Sequence, residues 1–419
     1  MSSQPAPSSP RPDPSRRRFL AASAGGFGML ALRSLLADDS LLAADAPSTN
    51  PMAVRSPHFA PKATSVIFLF MYGGPSQVDT FDPKPALNKW AGKAIPAFKP
   101  EHAFFGTETK ATAMPSPYKF AKHGDAGIDI SDRYPHLSRC ADDLCVIRSM
   151  HCDSNNHGPA LFQMNTGFIT PGHPSMGSWL TYGLGSVSRN LPGYVVLLDQ
   201  RGAPVNGTLN WTSGFMPAAY QGVPFRPTGS PILNLDLPQG VTPKQQRARL
   251  DLLQKWNERY FAENPAESDL AARIASYELA YRMQMHAPDV VNLADESEAT
   301  RRAYGMEDKD AKYFGRNCLL ARRLVERGVR FVHVYSGGNE GPTAWDAHKD
   351  LKGNHDRQCA QTDQPIAALL NDLKQRGLLD TTLVVWGGEF GRMPTHQGSN
   401  GRDHNPYGFT CWLAGGGVR

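Results

Sequence analysis

The chain has 419 residues, 44 basic and 39 acidic side chains, a formal charge of +5 and 40% hydrophobic residues. That is long enough to bury a large core. No basic stripe interleaved with aromatics is present, which argues against a nucleic-acid partner. None of the six cysteines forms C-x-x-C, so a zinc ribbon or a thioredoxin-type motif is not expected.

Near its start the chain carries Ser15-Arg16-Arg17-Arg18-Phe19-Leu20, followed by the small and apolar run AASAGGFGMLAL. Twin arginines ahead of such a segment resemble a twin-arginine (Tat) export signal. Ala44-Asp45-Ala46 fits a small-x-small cleavage site, so residues 1–46 read as a leader and the mature start falls near Pro47. The apolar run is short and broken by Gly25, Gly26 and Arg33, so no stable membrane span is expected after processing. The expected partner is the Tat machinery and the expected location is periplasmic or extracellular.

A Pro-rich linker, 47–64, precedes a continuous apolar run, Ser65–Met71, that stops at Tyr72-Gly73-Gly74-Pro75. This is how a strand buried on both faces of a parallel sheet reads. Residues 86–135 are irregular. Leu144–Met150 reads as a second strand, and a helix is expected to start near Pro159. Residues 170–240 are rich in Gly and Pro, with one strand at 194–198. Residues 242–286 read as two amphipathic helices opened by Thr242-Pro243. Together, about 170–300 looks like an insertion.

From 310 the alternation is clear: helix 312–327, strand 329–335, helix 357–376 with Ile366, Leu369, Leu370 and Leu373 at 3–4 spacing, strand 382–386 and strand 409–413. Strands alternating with helices predict an α/β fold, a mostly parallel central sheet flanked by helices, with a helical insertion. Cys318, Cys359 and Cys411 sit in apolar segments and are expected as buried thiols, and a Cys140–Cys145 disulfide is conceivable in an exported protein.

In open parallel sheets, ligands bind beyond the carboxyl ends of the strands. After the first strand come Asp79 and Asp82, and after the second His151 and His157. Asp346 and His348 follow the strand at 329–335. Glu389, Phe390, Arg392, His396, Asp403 and His404 follow the strand at 382–386. Four strands thus deliver carboxylates and imidazoles to one edge, as a divalent-cation site needs. Imidazole with carboxylate suits zinc, manganese or iron, whereas carboxylates with carbonyls and water suit magnesium or calcium. A loop position for Asp346 and His348, an N-cap interaction for Glu389 and a structural pairing of His404 with Asp403 are the competing readings of the same residues.

The segments IFLFMYGGPSQVDTFDPKP, NNHGPALFQMNTG, WDAH, LLDTTLVVWGGEFGRMP and GRDHNPYGFTCWLAGG, in this order, resemble the exported domain of unknown function 1501 family. That family is placed in the alkaline-phosphatase-like superfamily and is often labelled sulfatase. The resemblance spans nearly the whole of 65–419. It implies an alkaline-phosphatase-like domain that hydrolyses phosphate or sulfate esters of small molecules or polysaccharides. One or two divalent ions (zinc, manganese, calcium or magnesium) are implied with it. Carried over by position, Asp79 or Asp82 is the first ligand, Asp346 and His348 the middle pair, Glu389 the Asp of an Asp-His pair and His404 the final His.

Two departures stand out. Counting nine back from Thr166-Gly167 places His157, not Cys, Ser or Thr, at the nucleophile position, so the formylglycine motif is absent. Phe390 replaces the His of the Asp-His pair. His157 and His151 are then expected as compensating ligands, or His157 as the nucleophile itself. Arg392 is a candidate oxyanion clamp, or else a salt bridge to a carboxylate such as Asp403. Glu389, Asp403 and His404 complete the expected metal set. The competing class is a non-catalytic glycan- or anion-binding protein with a degenerate metal site, and a weaker third is a structural cell-surface protein. In the family the sheet continues past the final glycines, so the sequence reads as truncated at Arg419.

Overall fold

A computed structural model describes residues 50–419 except 96–111, 230, 233–236, 264–267, 340, 399 and 419. The expected leader and its cleavage site lie outside the described residues. Seven strands form one sheet: β1 Ser65–Met71, β2 Leu144–Met150, β3 Tyr194–Leu197, β4 Val223–Phe225, β5 Phe331–Ser336, β6 Thr382–Gly387 and β7 Phe409–Gly415. Their order is β2-β7-β6-β1-β5-β3-β4. β1 pairs in parallel with β5 and β6, and β3 with β5 and β4. The class is the expected one, mixed α/β with a mostly parallel sheet.

β1, which leads into the short helix α1 (Gln77–Thr80), shows why the sheet forms here. It is apolar at nearly every position and occupies the middle, so both of its faces are covered. Ile67, Leu69 and Met71 pack with Leu319, Leu320 and Leu324 of α6 (Lys312–Glu326) and with Ile366, Leu369, Leu370 and Leu373 of α7 (Leu351–Gln375). Phe68, Phe70 and Tyr72 point the other way, into a cluster with Leu161 of α2 (His157–Thr166), Trp211 and Tyr335. The period-2 alternation of side chains divides one strand between two cores.

One boundary differs from expectation, and the sequence leaves one strand direction open. α7 starts at Leu351, not near 357, because Asp350 caps it by accepting a hydrogen bond from the Gly353 N–H at 3.2 Å. Its first turns carry buried polar residues, Asn354, His355 and Gln358, which break the apolar period that a sequence reading relies on. β7 runs antiparallel to both β6 and β2. The segment 388–408 has no helix among its described residues, and a parallel return needs a crossover, so the chain folds straight back. As a result the residues just before β7 stand at the same edge as the residues just after β6.

In the 170–300 region, α3 (Met176–Leu184) is followed by two long helices, α4 (Pro243–Glu263) and α5 (Ser268–Val291). α4 opens on a reciprocal cap: Thr242 N–H donates to Gln245 Oε1 at 2.9 Å, and Gln245 N–H donates to Thr242 Oγ1 at 3.3 Å. Cys140 and Cys145 are both free thiols, so the conceivable disulfide does not form, while Cys318, Cys359 and Cys411 are buried as expected. No helix among the described residues is long and apolar enough to cross a membrane.

His333 of β5 is 1% exposed, stacked on Phe68 with centroids 5.0 Å apart and on Tyr335 at 4.2 Å. Burial pushes its pKa down to about 3, against an ordinary 6.5. Between those values the unfolded chain binds a proton that the folded chain refuses, so stability is lost as pH falls. His333→Phe keeps the stack and removes the proton. Urea melts at pH 7 and pH 5 should show the variant losing about 2 kcal/mol less than wild type on acidification. An identical pH dependence for the two proteins contradicts the assignment.

Candidate metal centre

The four strand ends are built to hold their loops tightly. Tyr72-Gly73-Gly74 leaves β1 with Gly73 at φ 110° and Gly74 at φ 77°, values that favour glycine. A Cβ on Gly73 would stand 2.6 Å from the backbone nitrogens of both Trp345 and Asp346. The 345–348 loop lies directly against this turn: Trp345 N–H donates to Tyr72 O at 2.8 Å, and its buried indole donates to Ser336 Oγ at 3.2 Å. His157 is the first residue of α2, behind Asn156, whose side chain caps the helix through the Gly158 N–H at 3.1 Å. Gly391–Arg392 and His404–Asn405 form a two-stranded antiparallel ribbon with His404 opposite Arg392. Gln77 fastens that ribbon to the β1 loop with a pair of backbone hydrogen bonds to Arg392, 2.8 and 2.9 Å.

These placements aim four side chains at one point. Asp346 Oδ1 lies 3.0 Å from His348 Nε2, 3.2 Å from His404 Nε2 and 3.3 Å from His157 Nε2. One ligating atom from each of the four lies within 4.8 Å of the others. Arg392 reaches the same carboxylate oxygen at 2.6 Å. Its guanidinium is fully buried and also donates to the carbonyls of Gly73, Gly74 and Arg402. The fork thus ties three loops and the carboxylate together and faces protein on all sides, whereas an oxyanion clamp needs an open face.

The shifts at this point follow the charges around each group. Burial alone would raise the Asp346 carboxyl, but Arg392 and the three imidazoles hold it far below the carboxylate range. Burial opposes charge on His157, yet Asp346 and Glu389 outweigh it and push that imidazole up to about 9. His404 goes the other way: burial, then the Arg392 cation, hold it well below 6.5.

The remaining expected residues occupy other places. Glu389 is fully buried one step behind, accepting from the Gly73 N–H at 2.9 Å and meeting His157 Nδ1 at 2.6 Å. Asp403 accepts from the His404 N–H at 2.8 Å and lies 3.9 Å from His348 Nδ1. Asp79 is outside the group: it is paired in a bidentate way with the buried Arg402 at 2.7 and 3.2 Å, and takes the Ser76 hydroxyl at 2.5 Å. Asp82 meets Lys84 at 2.8 Å. His151 is 68% exposed, with only Asp153 at 3.9 Å. Phe390 packs its ring against those of His157 and His404, centroids 4.9 and 4.4 Å away, so it walls the site where the resemblance implied a ligand. Both nitrogens of His157 face carboxylates, which suits a ligand better than an attacking nucleophile.

Several contributors carry no signal in the sequence. Gln397 and the Asn155 carbonyl contact His348 and His404, and neither belongs to a ligand motif. Arg402 does adjoin Asp403-His404, and a buried arginine is a reasonable guess beside an acid. Gly73 is visible as part of a glycine pair, though not its contact with Asp346.

No curated protein matches this chain in sequence. Among solved structures it is similar to the lipoteichoic acid synthase LtaP from Listeria monocytogenes at 10% identity and TM-score 0.32, covering 88% of this chain and 70% of that one. It is similar to a mutant TAB5 alkaline phosphatase with magnesium bound, at 9% identity and TM-score 0.34, covering 85% and 92%. Ps i-CgsB in complex with k-i-k-neocarrahexaose gives 11% identity and TM-score 0.32, covering 85% and 66%. Residues 63–419 match the family described as "Protein of unknown function (DUF1501)", and the chain belongs to that family.

Proposed function

We propose that this protein is an exported, metal-dependent hydrolase of phosphate or sulfate esters. The observation that carries the reading is the convergence of His157, Asp346, His348 and His404 at the carboxyl edge of the sheet. The donor set fits a divalent cation: three imidazole nitrogens and a carboxylate, with the buried His157 Nε2 aimed at the Asp346 carboxylate from 3.3 Å. A bound ion supplies Lewis acidity toward an ester oxygen and lowers the pKa of water. The chain's own part is to fix the four ligands and to exclude solvent with Phe390. Glu389 holds the outer face of His157. No Ser, Thr or Cys occupies the His157 position, so the attacking group in this reading is water. The twin-arginine leader supports export of a protein folded before transport.

Purified protein loaded with zinc or manganese should hydrolyse at least one of a panel of aryl phosphates and aryl sulfates. Asp346→Asn and His348→Ala should each lower turnover at least about 100-fold and lower bound metal on elemental analysis. A metal-loaded protein inert toward the whole panel contradicts hydrolysis and favours the anion- or glycan-binding reading.

Asp79→Asn should behave differently. It breaks the buried pair with Arg402 and should cost about 3–5 kcal/mol in urea melts while the metal content of the folded protein is retained. Loss of metal without loss of stability would instead make Asp79 a ligand.

A further inference from the structure

Each of the three imidazoles is held at its outer nitrogen by an oxygen atom. His157 Nδ1 faces Glu389 Oε1 at 2.6 Å, His404 Nδ1 faces the Asn155 carbonyl at 2.7 Å, and His348 Nδ1 faces Gln397 Oε1. A backbone carbonyl only accepts, so His404 Nδ1 carries the hydrogen. Glu389 is an acceptor already fixed by the Gly73 N–H. Gln397 is fixed in turn by reciprocal backbone bonds with Gly401, 2.8 and 3.1 Å. The hydrogen on one ring nitrogen of a neutral imidazole leaves the other as a bare lone pair. A metal ion takes the neutral imidazole, and each of the three rings then turns its Nε2 toward the point beside Asp346 Oδ1.

The number and kind of donors narrow the cation. Three nitrogens and one oxygen suit zinc or cobalt, whereas magnesium and calcium take about six or more oxygens. The three separations from Asp346 Oδ1 to the nitrogens, 3.0, 3.2 and 3.3 Å, also fit, and all four atoms lie within 4.8 Å of one another. A tetrahedral shell with bonds of about 2.0–2.1 Å separates its ligand atoms by roughly 3.3 Å. A second ion would need further carboxylates, and those nearby are engaged. Asp79 is tied to Arg402 and Ser76, Glu389 to His157 and Gly73, and Asp403 to the His404 N–H.

We infer that the site takes a single nitrogen-preferring divalent ion of the zinc–cobalt class, and that Glu389, Gln397 and the Asn155 carbonyl are positioning groups that fix which imidazole nitrogen faces it. This rests on the metal-centre reading but not on hydrolysis: binding without turnover leaves it standing and removes only the hydrolase.

The test is metal titration of the metal-free protein by calorimetry, with Zn²⁺, Co²⁺, Mg²⁺ and Ca²⁺ as probes. Zinc and cobalt should each bind at one equivalent, cobalt with the intense visible absorption of a four-coordinate ion, and millimolar magnesium or calcium should not compete. Gln397→Leu should weaken zinc binding about 10–100-fold. Gln397→Glu, which keeps the acceptor, should restore it, and the melting temperature of the metal-free protein should be unchanged in both. Two equivalents of zinc, or effective competition by magnesium or calcium, overturns the single-ion assignment. Wild-type affinity in Gln397→Leu, or no recovery in Gln397→Glu, overturns the positioning role.

Discussion

One carboxylate oxygen organises this molecule. Asp346 Oδ1 faces three imidazoles and an arginine within 3.3 Å, and the five side chains come from three segments distant in sequence: the start of α2, the 346–348 loop and the 391–405 ribbon. In a buried setting such a cluster is costly unless its charges and lone pairs are balanced. Arg392 supplies part of that balance. Its guanidinium joins the Gly73-Gly74 turn, the ribbon and Asp346, so breaking it would loosen three loops at once.

The sheet makes that convergence possible. β1 lies between β5 and β6, so the turn after β1 sits between the loops that carry Asp346 and Glu389. The close approach of Gly73 to the 345–346 backbone allows no side chain there, which explains why the chain leaves its central strand on a glycine pair. The reversal of β7 contributes the last ligand. In a parallel strand, residues preceding it would lie at the far edge of the sheet. Because β7 runs backwards, His404 precedes it and still reaches the edge where His157 and Asp346 stand.

Much of this was legible in the residues. The apolar runs of β1, β2 and β6 and the 3–4 spacing in α7 carry the α/β class, because burial on both faces leaves a continuous apolar signature. The rule that strand ends gather ligands brought His157, Asp346, His348 and His404 into view together. What stayed hidden depends on side-chain geometry. Nothing in the sequence says that Asp79 turns to Arg402 instead of the centre, that Arg392 is enclosed, or that Glu389 stands behind His157. The direction of β7 is not legible because an apolar strand reads the same in either direction, and only the lack of a crossover helix among the described residues between β6 and β7 points to its reversal.

The central claim is a matter of position, and anomalous diffraction from crystals of the zinc-loaded protein, recorded at the zinc absorption edge, tests it most directly. The account predicts one strong peak per chain, within bonding distance of His157, His348 and His404 Nε2 and of the Asp346 carboxylate. A peak at Asp79, at His151 or elsewhere on the surface, with none among those four side chains, would contradict it.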